Sequence, residues 1–371
     1  MRHRGQPRPQ TAYENIEIAC LVALSARLGR DPLLVQGSNG NTSIKCEGVL
    51  WIKGSGKWLA NAGQEELLVP IQLAEVEESI RNNTELAPVY AGQTQLRPSI
   101  ETAMHSVLRH RVVIHVHSVN TIAWAIRLDG TIQLKERLAG LNWRWIPYAG
   151  SGIPLAREIE KRVADAPETD ILVLGNHGLV ICGSNCDAAE ALLYEVERRL
   201  AISPRQSPGP DAATLKAIAR LSQWRCPDLN LVHALGTDAV SRRILKGGIL
   251  YPCQAIFLGP TTPLLSKATI LFNFEGRINA GCNSQPFVVV EDGGVMVNKN
   301  MTNTEFANLI GLTEVIQRTE ESTPIRYLTA TELSSVLSDR AHSYRTAAIR
   351  SEKISHPLTG SETVPRDKCR A

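Results

Sequence analysis

The stretch Val112-Val113-Ile114-His115-Val116-His117 constrains this chain more than any other. Its apolar start reads as a buried strand. Alternate side chains of a strand share one face, so His115 and His117 project together while Val116 packs behind them. A lone histidine on an apolar face is usually a satisfied core residue. Two on one face of a buried strand both need partners, and one metal ion between them meets both needs.

A third ligand is wanted, because three histidines around an ion with open positions form a catalytic zinc pattern. His177 lies in Gly175-Asn176-His177-Gly178, at the tip between apolar strands predicted over 171–174 and 178–182. Its small neighbours leave the imidazole room to project. His105 and His110 compete for the role, although both fall in or beside a helix predicted over 100–108 and read as surface or supporting residues. His3, His233, His342 and His356 lie outside any such pattern.

Glu101 stands at the start of the 100–108 helix, directly after Pro98-Ser99. A carboxylate there can act as a general base when burial and a nearby metal tune it. The helix dipole also favours acidic residues in first turns, and spacing alone favours this plainer explanation. Two glycine-rich loops suggest an anion site. The first, 37–43, carries Asn39, Asn41, Thr42 and Ser43. The second, Gly54-Ser55-Gly56-Lys57, adds backbone N–H groups, a hydroxyl and a cation. Ser99, ahead of a helix, is a third anion position. Neither loop is a nucleotide-binding fingerprint, and each alone reads equally as a hairpin turn. Beside a metal site they imply a phosphorylated or carboxylated small substrate.

Further helices are predicted over 15–28, 121–126, 158–164, 188–200, 304–317 and 331–337. A hairpin over 44–52 turns at Glu47-Gly48. Strand-like runs follow at 255–258, 267–272 and 286–290. The segment 203–211, with Pro204, Pro208, Gly209 and Pro210, is the clearest linker. One echo stands out. The block 171–180, with Asn185 and Glu190 after it, recurs as 286–295 followed by Asn300 and Glu305. Both blocks read strand, turn, strand, turn, helix. Chance similarity of two such units explains this as well as a duplicated half that lost its chemistry, Asp292 standing where His177 does.

Composition removes other classes. Apolar residues at 43% suffice for a real core, and charged residues at 21% are ordinary for a globular protein. The near balance of 40 basic and 37 acidic residues, with only 5% aromatics, leaves no footprint for nucleic acid. No segment has the length or apolar character of a bilayer span or signal peptide. The eight cysteines (Cys20, Cys46, Cys182, Cys186, Cys226, Cys253, Cys282 and Cys369) are scattered without a C-x-x-C pair. They read as reduced thiols of a cytoplasmic protein.

In this order, Gly40-Asn41-Thr42-Ser43, Ser55-Gly56, Pro98-Ser99-Ile100-Glu101 with His105, His115-Val116-His117 and Asn176-His177-Gly178-Leu179 resemble the class II aldolase/adducin family. Leu250-Tyr251-Pro252, Phe257-Leu258-Gly259, 286–290, Tyr327-Leu328-Thr329 and Tyr344-Arg345 resemble the stretch after the aldolase domain in rhamnulose-1-phosphate aldolase/alcohol dehydrogenase fusions. The dehydrogenase half of those fusions has no counterpart here.

The resemblance implies an α/β fold: a three-layer α/β/α domain with a mostly antiparallel central sheet, plus a smaller C-terminal α/β domain. The division is a flexible N-terminus at 1–12, the aldolase-like domain at 13–202, and a linker and connecting helix at 203–224. The C-terminal domain spans 225–346 and a disordered tail 347–371. It implies Zn²⁺, or another divalent ion, on His115, His117 and His177. Glu101 becomes the acid/base, and Asn41, Ser55, Gly56 and Ser99 the phosphate cradle. The implied activity is retro-aldol cleavage of a small phosphorylated sugar or sugar acid through a metal-stabilised enediolate, in a homo-oligomer, commonly a tetramer.

Two features depart from the family's aldolases: Ile100 replaces a second serine, and the 125–140 stretch has no match for their tyrosine proton donor. A decarboxylase, epimerase or dehydratase on the same metal site is therefore the first alternative, with Glu101 against the epimerase, which usually carries Asp there. A non-catalytic adducin-like binding protein comes last, since all three histidines are intact.

Overall fold

The turn Glu47-Gly48 sets the register of the first sheet. Both residues are left-handed, with φ of 48° and 79°, as a two-residue hairpin turn of matching twist requires. In the computed structural model, residues 12–84, 89–92, 94–220, 223–266 and 285–338 are described. The N-terminus up to residue 11, the strand expected at 267–272, the Tyr344-Arg345 block and the tail expected at 347–371 lie outside them.

The first sheet follows helix α1 (Ala12–Gly29). The turn joins β1 (Asn41–Cys46) to β2 (Val49–Lys53). Next come β3 (Leu68–Gln72), α2 (Leu73–Asn82), α3 (Thr102–Val107), β4 (Val112–Val116), α4 (Val119–Ala125) and α5 (Gly130–Arg137). The unit closes with β5 (Trp143–Ile146), α6 (Ile153–Val163), β6 (Ile171–Leu174), β7 (Gly178–Gly183) and α7 (Cys186–Leu200). The seven strands run in the order β3-β2-β1-β4-β7-β6-β5. All neighbours are antiparallel except β5 and β6.

β4 is the middle strand, and its alternation divides the two faces. Val112, Ile114 and Val116 pack with Leu21 and Leu24 of α1 and with Leu193 and Val196 of α7. Val113 packs oppositely, with Met104 of α3 and Leu155 and Ile159 of α6. The result is the expected three-layer α/β/α arrangement. Each fully buried aliphatic side chain contributes about 1.5–3 kcal/mol, so the doubly covered strand is a rigid mount.

The remainder is a smaller unit: α8 (Ala212–Arg220), β8 (Trp224–Arg225), α9 (Ala234–Thr237), α10 (Ala239–Gly247), β9 (Leu264–Leu265), β10 (Phe287–Val290), β11 (Gly294–Asn298), α11 (Asn303–Gln317) and α12 (Ala330–Val336). Its four-stranded sheet has the order β8-β11-β10-β9. A capping box of Thr302 and Glu305 starts α11. The two units share a core, since Val119, Ile122 and Ile126 at α4 cluster with Phe257, Leu309 and Leu312.

Several expectations change. The 255–258 run is a π-helical turn (Gln254–Leu258), not a strand. Four apolar residues fit either form; here Gln254 Oε1 accepts from the Leu250 amide at 2.8 Å, and Gly259 at φ 98° stops the turn. The helix expected from residue 100 begins at Thr102, with Glu101 outside it at φ −94° and ψ 10°. In the echoed hairpins Leu174 pairs with Gly178 and Val290 with Gly294. Asp292 therefore takes the left-handed place of Asn176 (φ 55° and 52°), and Gly293 that of His177. Cys20, Cys46, Cys182, Cys186, Cys226 and Cys253 are free thiols. Among the described residues, no helix is long and apolar enough to cross a membrane.

Candidate metal centre

His115 enters the site from the interior of β4, opposite Asn41 on β1 and Val180 on β7. Its Nδ1 lies 3.0 Å from the Leu179 carbonyl. A carbonyl only accepts, so Nδ1 carries the proton and Nε2 is a bare acceptor. His117 follows one residue beyond the strand, with its Nε2 3.1 Å from that of His115. His177 comes from the β6–β7 turn, where small residues are a steric necessity. A Cβ on Gly178 would stand 2.6 Å from the Val116 carbonyl oxygen and 3.4 Å from ring carbons of both His115 and His117. A Cβ on Gly175 would stand 2.9 Å from the Trp145 ring.

The three imidazoles are buried and converge. One ligand atom from each lies within 4.8 Å of the others. Ring planes cross at 70–73°, so the rings do not stack but face a common point. The Glu101 carboxylate joins them, Oε2 at 3.4 Å from His115 Nε2 and Oε1 at 3.2 Å from His177 Nε2. Oε1 is buried and makes no hydrogen bond among the described residues. Tetrahedral bonds of 2.0–2.1 Å place neighbouring ligand atoms about 3.3 Å apart. The spacing of the imidazole nitrogens and the carboxylate oxygen fits a divalent ion. Burial holds His115 down to about 4, with His177 and Lys53 pushing the same way against Glu101. Burial, then His115, holds His117 well below its usual range. These two imidazoles are therefore neutral at neutral pH, as metal ligation requires. Burial would raise the Glu101 carboxyl, but the surrounding His115, His177 and His117 prevail and hold it well below 4.5.

The other expected residues fall in two groups. Asn41 Nδ2 donates to Glu101 Oε2 at 2.7 Å and to Ser99 Oγ at 3.2 Å, while its Oδ1 accepts from His105 Nε2. His105 is fully buried, and Ser43 Oγ lies 2.6 Å from its Nδ1. It supports Asn41 and is no ligand. His110 points elsewhere, to Asp170 at 2.9 Å. Ser99 Oγ accepts from Asn41 and from the Glu101 amide, which leaves its own proton to donate. Ser55 and Gly56 lie beside it, because Ser55 N–H donates to Arg97 O and Ser99 N–H to Lys53 O, at 2.7 and 3.1 Å. The cation expected from Lys57 is paired with Glu65. The 37–43 loop is buried beneath α11, with Asn39 Nδ2 bonded to Asn308 Oδ1 at 2.8 Å.

Two residues here were not anticipated. Lys53 is only 2% exposed and donates to the Ser38 carbonyl. Burial lowers its ammonium to about 7, against the upward pull of Glu101. The only local signal was its place at a strand end ahead of Gly54, where lysines ordinarily reach solvent. Cys253, from the smaller unit, places Sγ 3.6 Å from His117 Nδ1. No periodicity could have announced a contact spanning so much sequence.

Residues 20–203 match the family described as Class II Aldolase and Adducin N-terminal domain. The chain is 28% identical over 184 residues to the uncharacterized oxidoreductase YuxG of Bacillus subtilis, a match covering 45% of this chain and 26% of that protein. It is 30% identical over 107 residues to the putative aldolase class 2 protein PA3430 of Pseudomonas aeruginosa, covering 27% of this chain and 39% of that one. The matches thus span a quarter to two fifths of these curated relatives. Among solved structures, the N-terminal class II aldolase domain of a conserved protein from Thermoplasma acidophilum aligns with a TM-score of 0.44 and 23% identity, over 54% of this chain and 97% of that domain.

Proposed function

We propose that this chain, whose residues 20–203 belong to the class II aldolase and adducin N-terminal domain family, is a metal-dependent carbon–carbon lyase acting on a small phosphorylated sugar or sugar acid. The observation that carries the reading is the convergence of His115, His117 and His177, within 4.8 Å, on a buried point that Glu101 also faces. These histidines would hold a divalent ion, and three imidazole nitrogens suit zinc. Bound there, such an ion acts as a Lewis acid on the oxygens of a carbonyl and its neighbouring hydroxyl.

The chain's own residues supply the rest. Glu101 Oε1 moves the proton at the substrate carbon next to the carbonyl. Asn41 holds the opposite oxygen, Oε2, so that Oε1 keeps its aim. Ser99 Oγ–H, Ser55 and Gly56 grip the phosphate at the rim and keep the reacting carbon in place. Lys53 balances the Glu101 charge from within. On this reading the protein works as a cytoplasmic homo-oligomer.

Metal content of the purified protein, wild type against His117→Ala, tests the centre. About one zinc per chain, lost in the variant, is expected. A wild type that holds no metal and takes none up on reconstitution would overturn the reading. A screen of ketose phosphates for aldehyde release then tests the reaction. A metal-loaded protein that releases no aldehyde, but decarboxylates, epimerises or dehydrates a sugar-acid phosphate, would move the assignment to that reaction.

A further inference from the structure

His117 is backed by the smaller unit. Its Nδ1 lies 3.6 Å from Cys253 Sγ, and the same sulfur lies 3.5 Å from Asn39 Oδ1. Asn39 Nδ2 donates at 2.8 Å to Asn308 Oδ1, and Asn308 Nδ2 donates at 2.8 Å to the Thr304 carbonyl. All four side chains are buried, none more than 7% exposed.

The chain of bonds has one direction. The Thr304 carbonyl can only accept, which turns the Asn308 amide nitrogen toward it. Asn308 Oδ1 then faces Asn39 and must accept, which turns Asn39 Oδ1 toward the sulfur. The Cys253 thiol donates its proton to that oxygen, and its lone pairs accept from His117 Nδ1–H. His117 Nε2 is left bare on the side facing His115 and His177. The sulfur sits behind the ring, so it orients a ligand without being one.

We propose that Cys253 is a positioning residue of the metal centre. Acting from the smaller unit, it fixes His117 in the tautomer and orientation that present Nε2 to the ion. The proposal rests on the metal site of the reading above, not on the reaction assigned to it. Partners behind a metal-bound histidine typically affect metal affinity about ten- to a hundredfold, and Cys253 stands in that relation to His117.

The test is titration of the chelator-treated full chain with cobalt, following affinity and the visible spectrum. Cys253→Ala is expected to weaken binding about ten- to a hundredfold and to shift the spectrum. Cys253→Ser, which keeps a donor and an acceptor, should recover affinity to within about threefold of wild type. Asn308→Leu, which removes the amide that sets the direction, should weaken binding about three- to tenfold, and it serves should the alanine protein fail to fold. Alanine and leucine variants that bind cobalt within twofold of wild type, with its spectrum, overturn the proposal alone. A wild type that takes up no cobalt overturns the reading of the centre and the proposal with it.

Discussion

Lys53→Met removes a buried charge and leaves a side chain of similar length. The ammonium donates to the Ser38 carbonyl and has no ion-pair partner among the described residues. Burial draws it from 10.5 to about 7, Glu101 pulling the other way. In the unfolded chain the lysine titrates near its usual value, so from about pH 7 to about pH 10 the unfolded state binds more protons than the folded one. Stability must therefore rise with pH across that window. Keeping this lysine folded costs about 4 kcal/mol near pH 7 and about 2 kcal/mol near pH 9.

The methionine variant lacks this titration, and the groups that Lys53 shifts, His115, His117 and Cys253, titrate outside this window. Wild type should thus gain about 2 kcal/mol on Lys53→Met between about pH 7 and about pH 9. Urea unfolding of both chelator-treated proteins at the two pH values measures this directly. The absolute gap includes the hydrogen bond to Ser38, so the slope is the diagnostic quantity. Stability profiles that run parallel within about 0.5 kcal/mol would show that the lysine is hydrated and charged in the fold, refuting its burial beside Glu101.

Three further outcomes follow from the same packing. Gly178→Ala drives a Cβ to 2.6 Å from the Val116 carbonyl; it should cost about 1–3 kcal/mol in urea unfolding and weaken zinc binding, because β7 backs both His115 and His117. Asn176 bonds to Leu250 O, Arg326 O and the Arg326 guanidinium, each at 2.8 Å, so Asn176→Ala should lower the unfolding free energy by about 2–4 kcal/mol, read by thermal or urea denaturation. Glu101→Gln should keep one metal per chain by elemental analysis while turnover falls about a hundredfold or more; unchanged turnover would take the proton-moving role away from Glu101.

What the sequence disclosed was whatever one element decides alone. The alternation of Val112–Val116 fixes which side chains share a face, so the projection of His115 and His117 needed no partner strand to be read. Gly175-Asn176-His177-Gly178 was legible because a tight turn leaves few residue types that fit, and the same holds for Glu47-Gly48 with both φ values positive. The 255–258 run failed because hydrophobicity without a period cannot separate a strand from a helical turn. Asn41 looked like an anion donor, yet His105, from another element, holds its oxygen and turns its nitrogen to Glu101.

Lys53 and Cys253 were invisible for a related reason: burial by a distant segment converts an ordinary strand-end lysine and a scattered thiol into parts of the site. The 37–43 loop carries the point furthest. Its glycines and asparagines suit an open anion cradle, but α11 lies over it and Asn308 claims Asn39. The loop joins the smaller unit to the histidine cluster, which leaves Ser55, Gly56 and Ser99 as the anion donors of the proposed function. A chain ending before α11 would keep the three histidines and Cys253, and would lose the Asn308 amide to which Asn39 is bonded.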